Sequence, residues 1–216
     1  MKLSELKDLY RHMEWADAAV WRAVIASEVS QADEKLRKLF YHSHLVQRAW
    51  LRAWHGEQRE YPTFDDVKSL LKWGRNYYPA VSSHLERLTD EQIAGIMQVP
   101  WAEIVERELG RQPEKIIIAE SMLQVALHSQ YHRGQINARL RALGGEPPRV
   151  DYIIWLWLGR PPADLRLRPI RVLETDARRT SNSLTKLRAK VSSDPLKISL
   201  QSLGDFSTVI KWKRHR

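Results

Sequence analysis

Apolar side chains recur at three- and four-residue spacing through most of residues 1–162, the period of helices that bury one face. Leu6, Leu9, Met13, Ala16, Val20 and Val24 mark the inward stripe of a first helix over residues 4–27, with Ser4 as its N-cap and Trp15 and Trp21 packing at its flanks. A second helix begins at Asp33-Glu34 and stops near Gly56, with Leu36, Leu39, His42, Val46, Ala49, Trp50 and Ala53 inside. Thr63-Phe64-Asp65-Asp66 reads as the capping start of a third, which Pro79 kinks or divides near Tyr78. Residues 95–113 form a long connection in which residues 97–99 and 103–105 extend as a short ribbon. The fourth helix begins near Ile116 and stops at Gly144-Gly145, with Ile118, Met122, Val125, His132, Ile136, Leu140 and Leu143 on its inner face. Residues 151–158 give a short closing helix or turn. Four long amphipathic helices predict an all-α four-helix bundle with long connections.

The pattern changes after Pro162. Periodicity weakens, and from Ala163 onward 13 Lys/Arg stand against 5 Asp/Glu, leaving 22 basic and 21 acidic side chains in the remaining 162 residues. Most of the formal charge of +9 therefore belongs to a basic tail over residues 163–216, and the body is electrically ordinary. A loosely attached or disordered tail is the expectation, with a hairpin around Gly204-Asp205 as the structured alternative. Such a tail implies weak, nonspecific attraction to nucleic acid at most, because it carries no recognition helix. No apolar run approaches the length of a membrane span, and residues 1–5 open an amphipathic pattern rather than a signal core. No membrane association and a cytoplasmic location are the expectation.

The candidate chemistry lies in the fourth helix. His128 and His132 stand one turn apart on its inward side, so their rings can reach a common point. Two buried imidazoles without partners would be costly, and one metal ion can serve both. The chain has no cysteine, so a metal site must use His, Asp, Glu or backbone oxygen. His42 is the remaining histidine on an inward stripe, and a third nitrogen from it would leave an open position on the ion; hydrogen bonding within the core is the alternative role. His44 is rotated by roughly 200° from His42 and faces away from that site. His55, beside a helix stop, is solvated. Arg133 is expected to pair with a carboxylate such as Asp17, with an anionic substrate as the alternative; Gly134 lets another helix approach, and Tyr131 and Gln135 are packing and surface residues. No side chain is assigned as general base.

Met13-Glu-Trp15-Ala-Asp17, His42 followed by residues 46–51, His128-Ser-Gln-Tyr-His132-Arg-Gly-Gln135, and residues 143–148 with Asp151, Tyr152 and Trp155 together resemble the damage-inducible DinB/YfiT-like family over residues 1–162. The resemblance implies a four-helix bundle, frequent homodimers, and one divalent metal ion held by three histidines, here His42, His128 and His132. Nitrogen ligands then favour zinc, nickel or another transition metal. The function the resemblance implies is a metal-dependent transferase joining a low-molecular-weight thiol to a small-molecule electrophile, or a thiol-dependent isomerase. A metal-dependent hydrolase and a non-catalytic metal-binding or dimerisation module are the alternatives. The tail departs from the family pattern and inherits nothing from it.

Overall fold

The structure, a computed structural model, describes residues 1–164. The basic tail from Leu165 onward, including the expected hairpin, lies outside the described residues. The described residues are all-α, in the order α1 (Leu3–Ile25), α2 (Glu28–Ala32), α3 (Glu34–Trp54), α4 (Val67–Arg75), α5 (Tyr77–Glu86), α6 (Asp90–Ile93), α7 (Ala102–Leu109), α8 (Ile118–Ala142) and α9 (Tyr152–Trp157). The long helices α1, α3 and α8 form the frame, and α4 and α5 close it against α1 and α3.

The N-cap of α1 is Lys2, two residues before the expected Ser4. The Lys2 backbone N–H donates to Glu5 (2.7 Å) and the Leu3 N–H to Asp90 (2.7 Å), so two carboxylates satisfy the first turn without Ser4. The helix ends at Ile25, and Ser27 instead caps α2 through the Ser30 N–H (3.2 Å). The expected third helix is divided at Asn76, slightly ahead of Tyr78. Pro79 falls in the first turn of α5, where its missing N–H costs nothing.

The expected ribbon is not formed. Glu103, Ile104 and Val105 lie inside α7, whose Glu- and Arg-rich composition favours a helix and which Gly110 terminates in the left-handed region (φ 69°). The extended pairing is made instead by Ile96 and Ile117. It is closed by the Met97 N–H on the Ile116 carbonyl (2.8 Å) and the Ile118 N–H on Gly95 (2.9 Å), so residues 116 and 117 lead into α8 as extended backbone.

Helices α3 and α8 run antiparallel along the largest interface. At one end Asp33, the N-cap of α3, takes a bidentate ion pair from Arg139 (2.6 and 3.2 Å). Moving along α3 from that clasp, His42 meets His128 and His132, Gln47 meets Ser129, and Trp54 meets Ser121.

The centre of this interface differs from the expected stripes. On α3 the buried line is Leu36, Phe40, Ser43, His44, Gln47, Trp50 and Leu51; on α8 it is Met122, Val125, Ser129, Arg133, Ile136 and Leu140. Ser43, His44, Gln47, Ser129 and Arg133 are polar, so hydrophobic period alone assigns them outward and rotates the inferred face. His44, Gln47, Ser129 and Arg133 are buried because a network that includes Trp21 and Asp17 satisfies them. The Trp21 indole N–H donates to His44 Nε2 (2.8 Å). An indole nitrogen only donates, so His44 carries its proton on Nδ1 and passes it to Gln47 Oε1 (2.7 Å). The Gln47 amide then donates to Asp17 (3.1 Å) and to Ser129 Oγ (3.0 Å). Asp17 also accepts from the Tyr78 hydroxyl and pairs with Arg133, as expected of that arginine. Burial pushes the His44 pKa down and that of the Tyr78 phenol well up, the second reinforced by Asp17.

Glycine is required at one crossing. The His44 ring lies so close to α4 that a Cβ on Gly74 would stand 2.6 Å from His44 Cδ2. The close approach assigned to Gly134 is not made: a Cβ there would meet nothing within 4 Å, because Gly134 is exposed.

Two consequences are measurable by denaturant unfolding. Asp17→Asn leaves Arg133 buried without its counter-charge and should cost about 3–5 kcal/mol. Gly74→Ala should cost about 1–3 kcal/mol, since the His44 ring is tethered through both nitrogens and cannot move aside.

Candidate metal centre

His42 comes from α3 and His128 and His132 from α8, so one helix supplies two rings and its antiparallel neighbour the third. The one-turn spacing brings the α8 rings to a centroid separation of 4.3 Å. His42 Nε2 lies 3.3 Å and His132 Nε2 3.1 Å from His128 Nε2. One ligand atom from each of the three falls within 4.8 Å of the others. Nitrogens about 2.1 Å from one ion lie roughly 3.0–3.4 Å apart at octahedral or tetrahedral angles, a range that the two separations from His128 Nε2 match.

The three rings are half-buried rather than core residues. His42 flanks the buried line of α3, and His128 and His132 flank that of α8, at the edge of the interface. Each α8 histidine is followed immediately by a residue of the polar network, Ser129 and Arg133. The network therefore sets the rotation of α8 that turns the histidines toward α3. Leu127 and Tyr131, chain neighbours of the two α8 histidines, are exposed, and the Tyr131 ring meets His132 edge-on at 5.1 Å. Tyr131 is a rim residue here, not a packing residue.

Both the protonation states and the hydrogen bonds suit a cation. Burial lowers the His42 pKa to about 4 and that of His128 to about 3, assisted by the neighbouring rings; burial also lowers that of His132. The rings are thus neutral at pH 7, the form in which imidazole ligates. Direct hydrogen bonding cannot satisfy them. His42 and His132 both approach the same His128 nitrogen, which has room for a single proton or a single lone pair. The opposite nitrogen of His128, Nδ1, is buried without a partner among the described residues. His132 Nδ1 is 2.8 Å from Gln135 Oε1, so Gln135 is more than a surface residue. Three lone-pair donors with no acid among them could hold one divalent ion with its charge intact.

The remaining histidines lie elsewhere. His44 faces away from the trio, as expected, yet is fully buried in the polar network. His55 is exposed but not merely solvated, since its Nε2 meets His84 Nδ1 at 3.0 Å. His12 binds the Val150 carbonyl (2.9 Å) and so fastens the segment after α8 to α1. Sequence reasoning missed Gln47, Ser43 and Ser129. The available signal was their spacing: Phe40, Ser43, His44, Gln47 and Trp50 continue one helical stripe if polar residues are admitted to it.

No helix among the described residues is long and apolar enough to cross a membrane. Neither curated proteins nor solved structures provide a match to the chain. The family model described as DinB family does match, over residues 2–163, a span that contains every helix described above and all three converging histidines. The chain belongs to the DinB family.

Proposed function

We propose that His42, His128 and His132 bind one divalent transition-metal ion and that the protein is a metal-dependent enzyme acting with a low-molecular-weight thiol, as an S-transferase onto a small electrophile or as a thiol-dependent isomerase. The observation that carries this reading is the convergence of three neutral imidazoles at ligand-like spacing with no direct hydrogen-bonding solution. Nitrogen donors favour zinc, nickel, copper or iron over magnesium. A bound ion would supply a positive centre that favours the deprotonated form of a thiol or of water at neutral pH.

The chain's own residues have separable tasks. His128 and His132 present two nitrogens as a rigid pair on α8, and His42 closes the set from α3. The polar network holds the rotation of both helices. Leu127 and Tyr131, exposed on α8, offer an apolar and aromatic rim for the less polar part of a substrate. No carboxylate stands among the three ligands, so an anionic thiolate would meet no like charge there. Family membership supports thiol chemistry over hydrolysis. A homodimer, a cytoplasmic location and a weak nonspecific attraction of the tail to nucleic acid belong to the same proposal.

The test is metal analysis of the full chain followed by a panel of thiols, including glutathione, bacillithiol and mycothiol, with a model electrophile. About one ion per chain is expected. His42→Ala, His128→Ala and His132→Ala should each lose tight binding and turnover, whereas His44→Ala should retain the ion while lowering stability. Thiol-independent ester hydrolysis that is lost in His128→Ala would replace the transferase reading with a hydrolase. A fully loaded protein without turnover would leave a binding module.

The pH dependence has a definite sign. Ordinary imidazoles near pKa ~6.5 would compete for protons below neutrality, each weakening binding about tenfold per pH unit. With His42 near 4 and His128 near 3, that competition is deferred. Titrating zinc from pH 7 to about 5 should therefore show only a shallow loss of affinity, steepening in more acid solution.

A further inference from the structure

We infer, building on the three-histidine reading above, that Gln135 is a positioning residue that holds His132 in the tautomer able to ligate through Nε2. A neutral imidazole carries one ring proton, and its position decides which nitrogen keeps a lone pair. His132 Nδ1 lies 2.8 Å from Gln135 Oε1. A carbonyl oxygen accepts and does not donate, so the ring proton resides on Nδ1. The lone pair then belongs to Nε2, the atom 3.1 Å from His128 Nε2 and turned into the trio. Rotation of the Gln135 amide by half a turn would reverse the arrangement: its NH2 would donate to Nδ1, the ring proton would move to Nε2, and the ligand position would close.

The setting favours the ligating arrangement. Gln135 follows His132 by three residues on the same helix, where side chains are neighbours. It is half-buried, and the contact holds the ring about its Cβ–Cγ bond as well as fixing the tautomer. His128 has no equivalent support, since its Nδ1 is buried and unpartnered among the described residues. Of the two α8 rings, His132 alone is thus oriented by such a hydrogen bond among the described residues, and it comes from Gln135. Outer hydrogen bonds of this kind commonly contribute about 10–100-fold to metal affinity.

The experiment uses the full chain and two readouts. In metal-free protein at neutral pH, nitrogen NMR of the His132 ring reports the tautomer directly; in parallel, zinc affinity is measured by competition with a chelator. Wild type should show the Nδ1–H form. Gln135→Met, of similar length but without the acceptor, should give mixed tautomers and bind zinc about 10–100-fold more weakly. Gln135→Asn, too short to reach Nδ1, should behave likewise, and Gln135→Glu, which offers only acceptors, should restore both. Thermal unfolding should be little changed in all three, separating the effect from loss of fold. An Nε2–H tautomer in wild type, or wild-type zinc affinity in both Gln135→Met and Gln135→Asn, would overturn the assignment. If wild type binds no zinc, the metal reading fails, while the tautomer measurement still decides the role of Gln135.

Discussion

The buried carboxylate of Asp17 is the constraint on which the rest of the structure depends. It collects Arg133 from α8, Tyr78 from α5 and Gln47 from α3, and so links all the major helices to α1 at one point. A buried charge is tolerated only when its counter-charge and hydrogen bonds are in place. Apolar contacts alone would allow α3 and α8 to rotate by part of a turn at modest cost. The network does not, because rotation would leave Gln47 or Arg133 buried without partners. Orientation, more than net stabilisation, is what these polar groups contribute.

The same constraint explains what could and could not be read from the chain. The long helices, their order, the division near Pro79 and the termination at Gly144 follow from periodicity and from Pro and Gly chemistry, which act locally. The rotation of α3 did not follow. His44 and Gln47 are solvent-type residues by composition, and they become interior residues only because Trp21 and Asp17, far along the chain, complete their hydrogen bonds. His42 was placed in the core for the same reason, and it proves to be half-buried at the interface edge. The histidines were nevertheless brought together, because a ring at the edge of a helical stripe can reach a neighbour on the adjacent helix as readily as one at its centre. The α7 helix was missed because it is only eight residues long, buries none of them fully, and carries the adjacent β-branched pair Ile104 and Val105, which reads locally as strand.

Position at the edge also suits the proposed chemistry. A site at the centre of the interface would be closed by Met122, Val125 and their neighbours, and no substrate could enter without separating the helices. At the edge, the rings are withdrawn from water enough to stay neutral yet are only half-buried, and Leu127 and Tyr131 beside them on α8 are exposed. The charged network and the histidines occupy adjacent positions on α8 but perform different tasks, one internal and one facing outward.

The antiparallel pairing of α3 and α8 has a mechanical consequence. Because His128 and His132 ride on one helix, their separation is fixed by the helix itself, and the set has a single joint: the axial offset of α3 against α8. A slip of one residue would translate His42 by about 1.5 Å and swing its ring by about 100°, enough to take its nitrogen out of the trio. That joint is pinned on both sides, by the Asp33–Arg139 clasp toward the end of the bundle and by Gln47 on Ser129 toward its middle. The geometry of the three histidines is thus a vernier reading of interhelical register, set by residues outside the trio.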